Sequence, residues 1–541
     1  MLIQTFNVSV KKALNSDRSL QAHKAIYNEL ENMLITHLSL EGICYKNIPD
    51  IHRPNVMMLH MFLKDKYDPS GIFQKMKARL VVGGNTQKPE TYSSIASPTV
   101  NPVTLSVIIN LIVIESRECA TFDVPAAFLV PPMPRNEHFY GVMDEETSKI
   151  ALEVQPSLSN YKSTSGRIYF RIRKYQYGLH QSSMKFYEYL VAYFLFLGFT
   201  RTNLDECLFI KNTPNGRIDV VFHVDDIFLT APNAKIIQEY AAIFKKDLNV
   251  EQHFNSPYSF IGMTLTRDRE KRTIKVTMGA LTDKLVDKYA KDLAVAITPS
   301  TNALVDVPET GPQNYPLSKK RQSDFVSAVM TLLFIVRFVR PDCLFAVTVL
   351  ATRLQSATES DYDEMTRIVR YLKGTRNVGN VYRYTKEVIA KVWADASHGT
   401  LLARSIGAII ITLGSAAIVV KCWFIKYFSL SAAESEVCTV TEGITYILWI
   451  RELLEFFGHS QIQPTDIYQD NEAAMIMHIA GRGSFKRSKH LIARNYFIKQ
   501  YIDEHMVKLV KVGTLNMISD MVTKVMPGPQ LRSNMIGASM E

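Results

Sequence analysis

Cysteine is scarce in this chain of 541 residues, and the six present (Cys44, Cys119, Cys207, Cys343, Cys422 and Cys438) show no Cys-x-x-Cys pair and no pairing pattern. That argues against a disulfide framework and a structural zinc site, and it points to a reducing, intracellular compartment. No apolar run is long and uninterrupted enough to cross a bilayer. Residues 327–342, "SAVMTLLFIVRFVRPD", are broken by Arg337 and Arg340 and read as a buried helix, while 405–424, "SIGAIIITLGSAAIVVKCWF", read as two strands joined at Gly414-Ser415. The opening "MLIQTFNVSVKKALN" has no basic start followed by a long apolar core, so no secretory signal is expected. Internal repeats and low-complexity tracts are missing too. Acidic residues are in deficit: 52 Asp and Glu against 62 Lys and Arg give a formal charge of +10 and a pI near 9.0, which favours a polyanionic partner.

What is present is globular. With 47% hydrophobic and 21% charged residues, the chain is expected to form three or four domains. Helical spacing runs over 20–35, and 56–84 read as strands around the turn "DPSG". Apolar helices are expected over 102–116 and 181–197. The polar, Pro-containing stretch 301–320 reads as a linker, followed by helices to about 373 and a second strand-helix region from about 388 to 526.

One short stretch carries chemistry. "VVFHVDDIFLT" (220–230) sets Asp225 and Asp226 side by side in an apolar, β-branched run. An Asp-Asp pair suits a hairpin corner, where short polar side chains fit the turn. It equally suits a divalent cation that offsets the repulsion of two anions. Upstream, "ATFDVPAAFLV" (120–130) ends a strand at Asp123, turns at Pro125 and presents Phe128 five residues on. Three carboxylates from two strands could bind two Mg²⁺ ions and support in-line phosphoryl transfer from a 3′-hydroxyl, although a lone strand-end Asp beside a turn is common.

The blocks "KARLVVGGNTQK" (77–88), "DVPAAFLV" (123–130), "YGLHQSSMKFYEYL" (177–190), "FHVDDI" (222–227) and "FIGMTL" (260–265) stand in the order found in reverse transcriptases of copia-like LTR retrotransposons, and the chain resembles that family from about residue 8 to 526. Further on, "VRPDCLFAVTVLATRL" (339–354) and "YLKGT" (371–375) resemble its connection. "LSAAESEV", "IYQDNEAA", "SKHLIARNYFI" and "ISDMVTK" resemble its ribonuclease H.

The resemblance implies an α+β and α/β multidomain fold: a right-hand polymerase of fingers, palm and thumb, with a connection and a C-terminal ribonuclease H-like domain. The expected boundaries are 1–68 (N-terminal helix and start of fingers), 69–300 (reverse transcriptase), 301–387 (linker and connection), 388–526 (ribonuclease H-like) and 527–541 (tail). It makes Asp123, Asp225 and Asp226 the polymerase metal ligands, the last two on a tight palm hairpin. Lys77 and Arg79 would meet the incoming triphosphate, a task suited to fixed positive charge, unless they are an ordinary solvated strand edge. Gln181 would lie against the nucleotide, or simply open a helix. Phe128 would sit under the sugar and exclude a 2′-hydroxyl, or be a core aromatic. Phe260, Ile261, Gly262 and Met263 match a primer-gripping turn, with Gly262 allowing close backbone approach.

In the C-terminal region, "AKVWADASHG" is a strand carrying Asp395, two more strands and a long helix follow, "TDIYQD" ends at Asp470, and Asp520 lies in "NMISDMVTKVM". That order suits a mixed sheet on which Asp395, a Glu, Asp470 and Asp520 converge on two metals. Ser431 followed by Glu434 is a capping box, which gives Glu434 a structural task; Glu436, nearly opposite on the helix, matches the family's catalytic position and is the favoured ligand. In the basic run "GRGSFKRSKH" (481–490), Arg482, Lys486, Arg487 and Lys489 could contact phosphates or form a plain solvated face, and His490 could approach the RNA strand or be a structural histidine.

Departures from the family pattern are His223 for a tyrosine, Gly83 for a basic residue, Pro125 for a lysine and Ile492 for an aspartate. None removes a metal ligand. The expected function is RNA-directed DNA polymerisation with ribonuclease H activity, using Mg²⁺ or Mn²⁺. Its expected partners are an RNA template, a DNA primer, the RNA–DNA hybrid, deoxynucleoside triphosphates and other Gag and Pol products, with no membrane. The rival is a degenerate copy that binds nucleic acid without extending it. The expected location is the cytoplasm, in virus-like particles, with nuclear entry open. With no protease or integrase segment before it, the chain reads as the C-terminal part of a polyprotein or a truncated reading frame.

Overall fold

The computed structural model describes residues 10–67, 73–92, 96–306, 315–401, 404–480 and 491–541. The "DPSG" turn, the centre of the expected linker (307–314) and the basic run 481–490, with Arg482, Lys486, Arg487, Lys489 and His490, lie outside the described residues. Four sheets organise the rest into a mixed α/β architecture.

The first sheet is ordered Leu40–Ile43, Ile168–Ile172, Phe139–Met143, Met57–Tyr67, Phe73–Val82. The helix Ser19–Glu31 lies on it, burying Ile26 and Leu30, and Glu29 accepts a hydrogen bond from the Leu80 amide at 2.9 Å. The second sheet is ordered Glu251–His253, Glu118–Asp123, Asp226–Ala231, Gly216–His223, Leu208–Thr213, Thr200–Arg201. Helices Pro102–Ile114, Ser182–Phe196 and Ala234–Leu248 share its core, where Phe122, Phe194, Phe222 and Phe244 form a ring cluster. The first of these helices starts where its sequence says it should: Asn101 accepts from the Val103 amide, and Pro102 fills a position that needs no N–H. Apolar on nearly every side, it spans 13 residues inside the core. No helix among the described residues is long and apolar enough to cross a membrane.

The third sheet, Tyr258–Phe260, Met263–Asp268, Thr273–Thr277, Asn380–Arg383, crosses the boundary expected at 300. Its last strand arrives after helices Lys319–Phe338 and Glu359–Gly374. Between them, the two connection blocks meet in one buried network: Arg340 forms a double hydrogen bond to Asp342, Tyr371 donates to Asp342 at 2.8 Å, and Arg340 also donates to Thr375. The fourth sheet, Ala416–Phe424, Arg404–Leu413, Ala390–Leu401, Thr465–Gln469, Val507–Lys511, is mixed, with the last two pairings parallel, and helix Ala432–Phe456 lies across it.

Two expectations are corrected. Residues 527–541 are not a tail: they form helix Gly528–Gly537 and then pair with the open edge of the third sheet, where Val381 donates to the Ser539 carbonyl and Gly379 to that of Glu541. Burial of Leu531, Met535, Ala538 and Met540 explains why so polar a stretch is ordered. Where three or four domains are expected, the described residues form two buried cores, one around the first sheet and one continuous from Val100 to Met540.

Candidate active site

The Asp225–Asp226 stretch is a hairpin whose two-residue turn is Val224-Asp225, with His223 opposite Asp226. Across the sheet, Asp226 pairs with Asp123, and Asp123 pairs with Glu251. Directly opposed residues project to the same face, so Glu251, Asp123, Asp226 and His223 form one cross-strand row, and Asp225 stands at its tip. The Val124 amide donates to the Asp225 carbonyl at 3.0 Å, locking the turn to the strand that carries Asp123.

Such crowding of half-buried acids is resisted. Burial, then the neighbouring Asp225 and Asp123 charges, push the Asp226 carboxyl up to about 7, against a hydrogen bond from the Ile261 amide. Asp123 is pushed up by burial, Asp225 and Glu251, and pulled down by Lys77 and His253. Removing a proton from this row is costly unless a cation arrives. The backbone is strained at the same spot. Ala126, Val224 and Ile261 all have left-handed φ (+51°, +57° and +51°), which two β-branched side chains strongly disfavour.

Around the row, Arg79 lies 4.1 Å over the Tyr177 ring, and Tyr177 contacts Phe128 at 4.8 Å between centroids. Gly84 and Gly178 make this approach possible, since a Cβ on Gly84 would fall 1.9 Å from the Gly178 carbonyl oxygen. Gln181 is buried at the start of Ser182–Phe196 without capping it. Its side-chain carbonyl oxygen accepts from Gln87 at 2.7 Å, and its amide nitrogen has no hydrogen-bond partner among the described residues. The expected primer turn is a hairpin with Phe260 opposite Met263, but Phe260, Ile261 and Met263 are buried, leaving Gly262 and backbone at the surface. Gly262 is needed for its φ of +74° rather than for close approach within the chain, because a Cβ there meets open space.

A second acidic centre lies in the fourth sheet. Asp395 is in strand Ala390–Leu401, Glu436 in the first turns of Ala432–Phe456, and Asp470 directly after Thr465–Gln469. Their ligand oxygens all lie within 4.8 Å of one another, the one such triad among the described residues. It could hold a metal ion. Gln469 donates to Glu436 at 2.7 Å, and the Ala396 amide at 3.3 Å. Burial, then Asp395 and Asp470, hold the Glu436 carboxyl well above its ordinary range. Asp520 joins from a short 3-10 turn. Burial and Asp395 push it up to about 7, although Lys524 pairs with it at 2.7 Å, and Thr523 donates to Asp395 at 2.6 Å.

Glu434 stays outside the triad. Ser431 accepts from the Glu434 amide, but the Glu434 carboxylate accepts from the Leu430 amide, one residue before the position a capping box requires. Sequence reasoning missed Glu251, Tyr177, Gln469, Thr523 and Lys524. The last three carried a signal, being one residue before Asp470 and three and four after Asp520.

Residues 47–301, the segment that holds the Asp123–Asp225–Asp226 row, match the family described as reverse transcriptase (RNA-dependent DNA polymerase). The chain is 25% identical over 533 residues to the Retrovirus-related Pol polyprotein from transposon TNT 1-94 of Nicotiana tabacum, covering 96% of this chain and 38% of that one. With the corresponding polyprotein from transposon RE1 of Arabidopsis thaliana it shares 24% over 468 residues, 85% of this chain and 30% of the relative. It spans roughly a third of these polyproteins. A solved foamy viral protease-reverse transcriptase in complex with RNA/DNA hybrid is 13% identical with a TM-score of 0.44, covering 86% of this chain and 52% of that one. The chain carries the reverse transcriptase region of a copia-like retrotransposon Pol polyprotein.

Proposed function

We propose that the protein is an RNA-directed DNA polymerase with an appended ribonuclease H, built as fingers, palm and thumb followed by a connection and the ribonuclease domain. The observation that carries this reading is the cross-strand row of Asp123 and Asp226, with Asp225 at its tip, inside the segment that matches the reverse transcriptase family. Both acidic centres offer carboxylate oxygens alone, a donor set that suits a hard cation such as Mg²⁺ or Mn²⁺. When bound, such ions supply activation of the attacking oxygen and stabilisation of the leaving one.

The side chains of this protein do the rest. Asp123, Asp225 and Asp226 hold the ions and fix the primer end. Lys77 and Arg79 neutralise the triphosphate, Arg79 held in place by Tyr177. Phe128, braced by the same tyrosine, sets the room beneath the sugar. Gln181 turns its unpartnered amide toward the nucleotide, and Gln87 orients it. In the second centre Asp395, Glu436, Asp470 and Asp520 hold the ions for RNA hydrolysis, with Gln469 and Thr523 orienting Glu436 and Asp395. The substrates are an RNA template, a DNA primer, deoxynucleoside triphosphates and the resulting hybrid; the setting is the cell interior, with the other Gag and Pol products.

Primer extension on an RNA template with Mg²⁺ or Mn²⁺ tests the reading. The wild type is expected to extend. Asp225→Asn is expected to abolish extension while hybrid binding persists, because the carboxylate holds metal rather than template. Hybrid binding without extension by the wild type would establish the degenerate-copy alternative. Extension by Asp225→Asn would remove the hairpin from the mechanism.

A further inference from the structure

We propose that the half-buried Glu115–Arg217–His459 node is a positioning joint that sets the distance between the polymerase and ribonuclease centres. The proposal rests on the reading of both acidic centres given above.

The node joins two segments far apart in sequence. Glu115 ends helix Pro102–Ile114, immediately before the strand that finishes at Asp123. His459 follows helix Ala432–Phe456, whose other end carries Glu436. His459 Nε2 lies 2.6 Å from Glu115 Oε1. Arg217, in the hairpin strand leading to Asp225, pairs with Glu115 at 3.2 Å and donates to the Phe457 carbonyl at 2.5 Å, with its guanidinium 4.8 Å over the Phe457 ring. Behind it, Asp219 is 2% exposed and held by Arg217 at 2.7 Å and Arg117 at 3.0 Å. Burial pushes the Glu115 carboxyl up, yet His459, Arg217 and Arg117 together hold it down at about 2. The carboxylate is therefore ionised under all ordinary conditions.

Two neutral ties stand beside it, across an apolar core that both regions share: Asn110 donates to the Leu413 carbonyl at 2.6 Å, and Trp449 to the Leu204 carbonyl at 3.3 Å. Three separated ties fix an orientation. The charged one is placed where it has most leverage, at the far ends of two rigid elements that bear the acids. The helix from Glu436 to Phe456 is about 30 Å long, so a tilt of about 10° at the joint moves Glu436 by about 5 Å, more than one base-pair step of ~3.4 Å. Charge-assisted hydrogen bonds are the strong ones, and removing one partner of a buried pair is costly. The joint therefore holds the two centres in register on one hybrid.

The test is the position of RNA cuts relative to the primer 3′ end, read on an end-labelled RNA–DNA hybrid for the full chain. The wild type is expected to cut in one cluster at a fixed spacing. In Glu115→Gln/His459→Ala the cluster is expected to spread by about one base-pair step or more, with extension and total cleavage retained. His459→Ala alone, at a side chain 25% exposed, gives a milder version of the same spread should the double variant not fold. Cuts at wild-type positions in a folded variant overturn the joint alone. A wild type that extends primers but never cuts removes the ribonuclease reading and the joint with it.

Discussion

At the residue scale, Glu434 and Glu436 separate structure from chemistry within one helix turn. The Glu434 carboxylate satisfies the Leu430 amide, and a glutamine oxygen can accept the same hydrogen bond. Glu434→Gln is expected to leave RNA cleavage within about threefold, since a surviving cap changes stability by well under ~1 kcal/mol. Glu436 faces Asp395 and Asp470, and a neutral amide there is a poor ligand for a hard cation. Glu436→Gln is expected to lower cleavage by roughly two orders of magnitude or more while primer extension continues. Cleavage of a labelled hybrid beside primer extension checks both; a dead Glu434→Gln with an active Glu436→Gln would reverse the assignment.

At the scale of the element, the hairpin Gly216–His223 to Asp226–Ala231 holds a β-branched residue where glycine is preferred. Left-handed backbone costs such a residue about 1–2 kcal/mol. Val224→Gly is accordingly expected to raise the unfolding free energy read from chemical denaturation by up to about 1 kcal/mol after the entropy cost of glycine. A drop in stability would mean that the valine side chain holds the turn by packing.

The same hairpin shows what the sequence could and could not convey. Asp123 and Asp226 were legible because one closes and the other opens an apolar strand, and Asp225 because it sits in the turn between two such strands. Asn101-Pro102 likewise announced its helix by local chemistry alone. Glu251 was not legible, since it reaches the row by pairing with Asp123 across 128 residues of sequence, and nothing local sets that register. Tyr177 was hidden for a similar reason: its place depends on two glycines, Gly84 and Gly178, from remote segments meeting. The buried Arg340–Asp342–Tyr371 network unites two blocks whose spacing in sequence carries no hint of contact.

Across the whole molecule, carboxyls packed against one another in buried surroundings should make stability depend on pH in an unusual sense. Asp226 and Asp520 titrate near 7 in the folded chain and near 4 when unfolded, so between those values the folded state binds more protons. Stability then falls as pH rises from about 4 to about 7, by an amount on the order of several kcal/mol. Denaturation of the metal-free protein across that range should show the decline, and Asp226→Asn should flatten it. Added Mg²⁺ should restore stability above pH 7, because it binds the ionised form. A flat wild-type profile would refute the account.

The third sheet has a practical bearing for anyone who would dissect the protein. Its strand Thr273–Thr277 is covered by Asn380–Arg383, which is covered in turn by Ser539 and Glu541. A fragment cut to the family match, 47–301, keeps Asp123, Asp225 and Asp226 but strips that cover, leaving a bare row of backbone donors and acceptors. Bare edges recruit other chains. Such a fragment is expected to elute from a sizing column as aggregate where the full chain elutes as a discrete species, so the minimal polymerase by homology is not the minimal soluble piece.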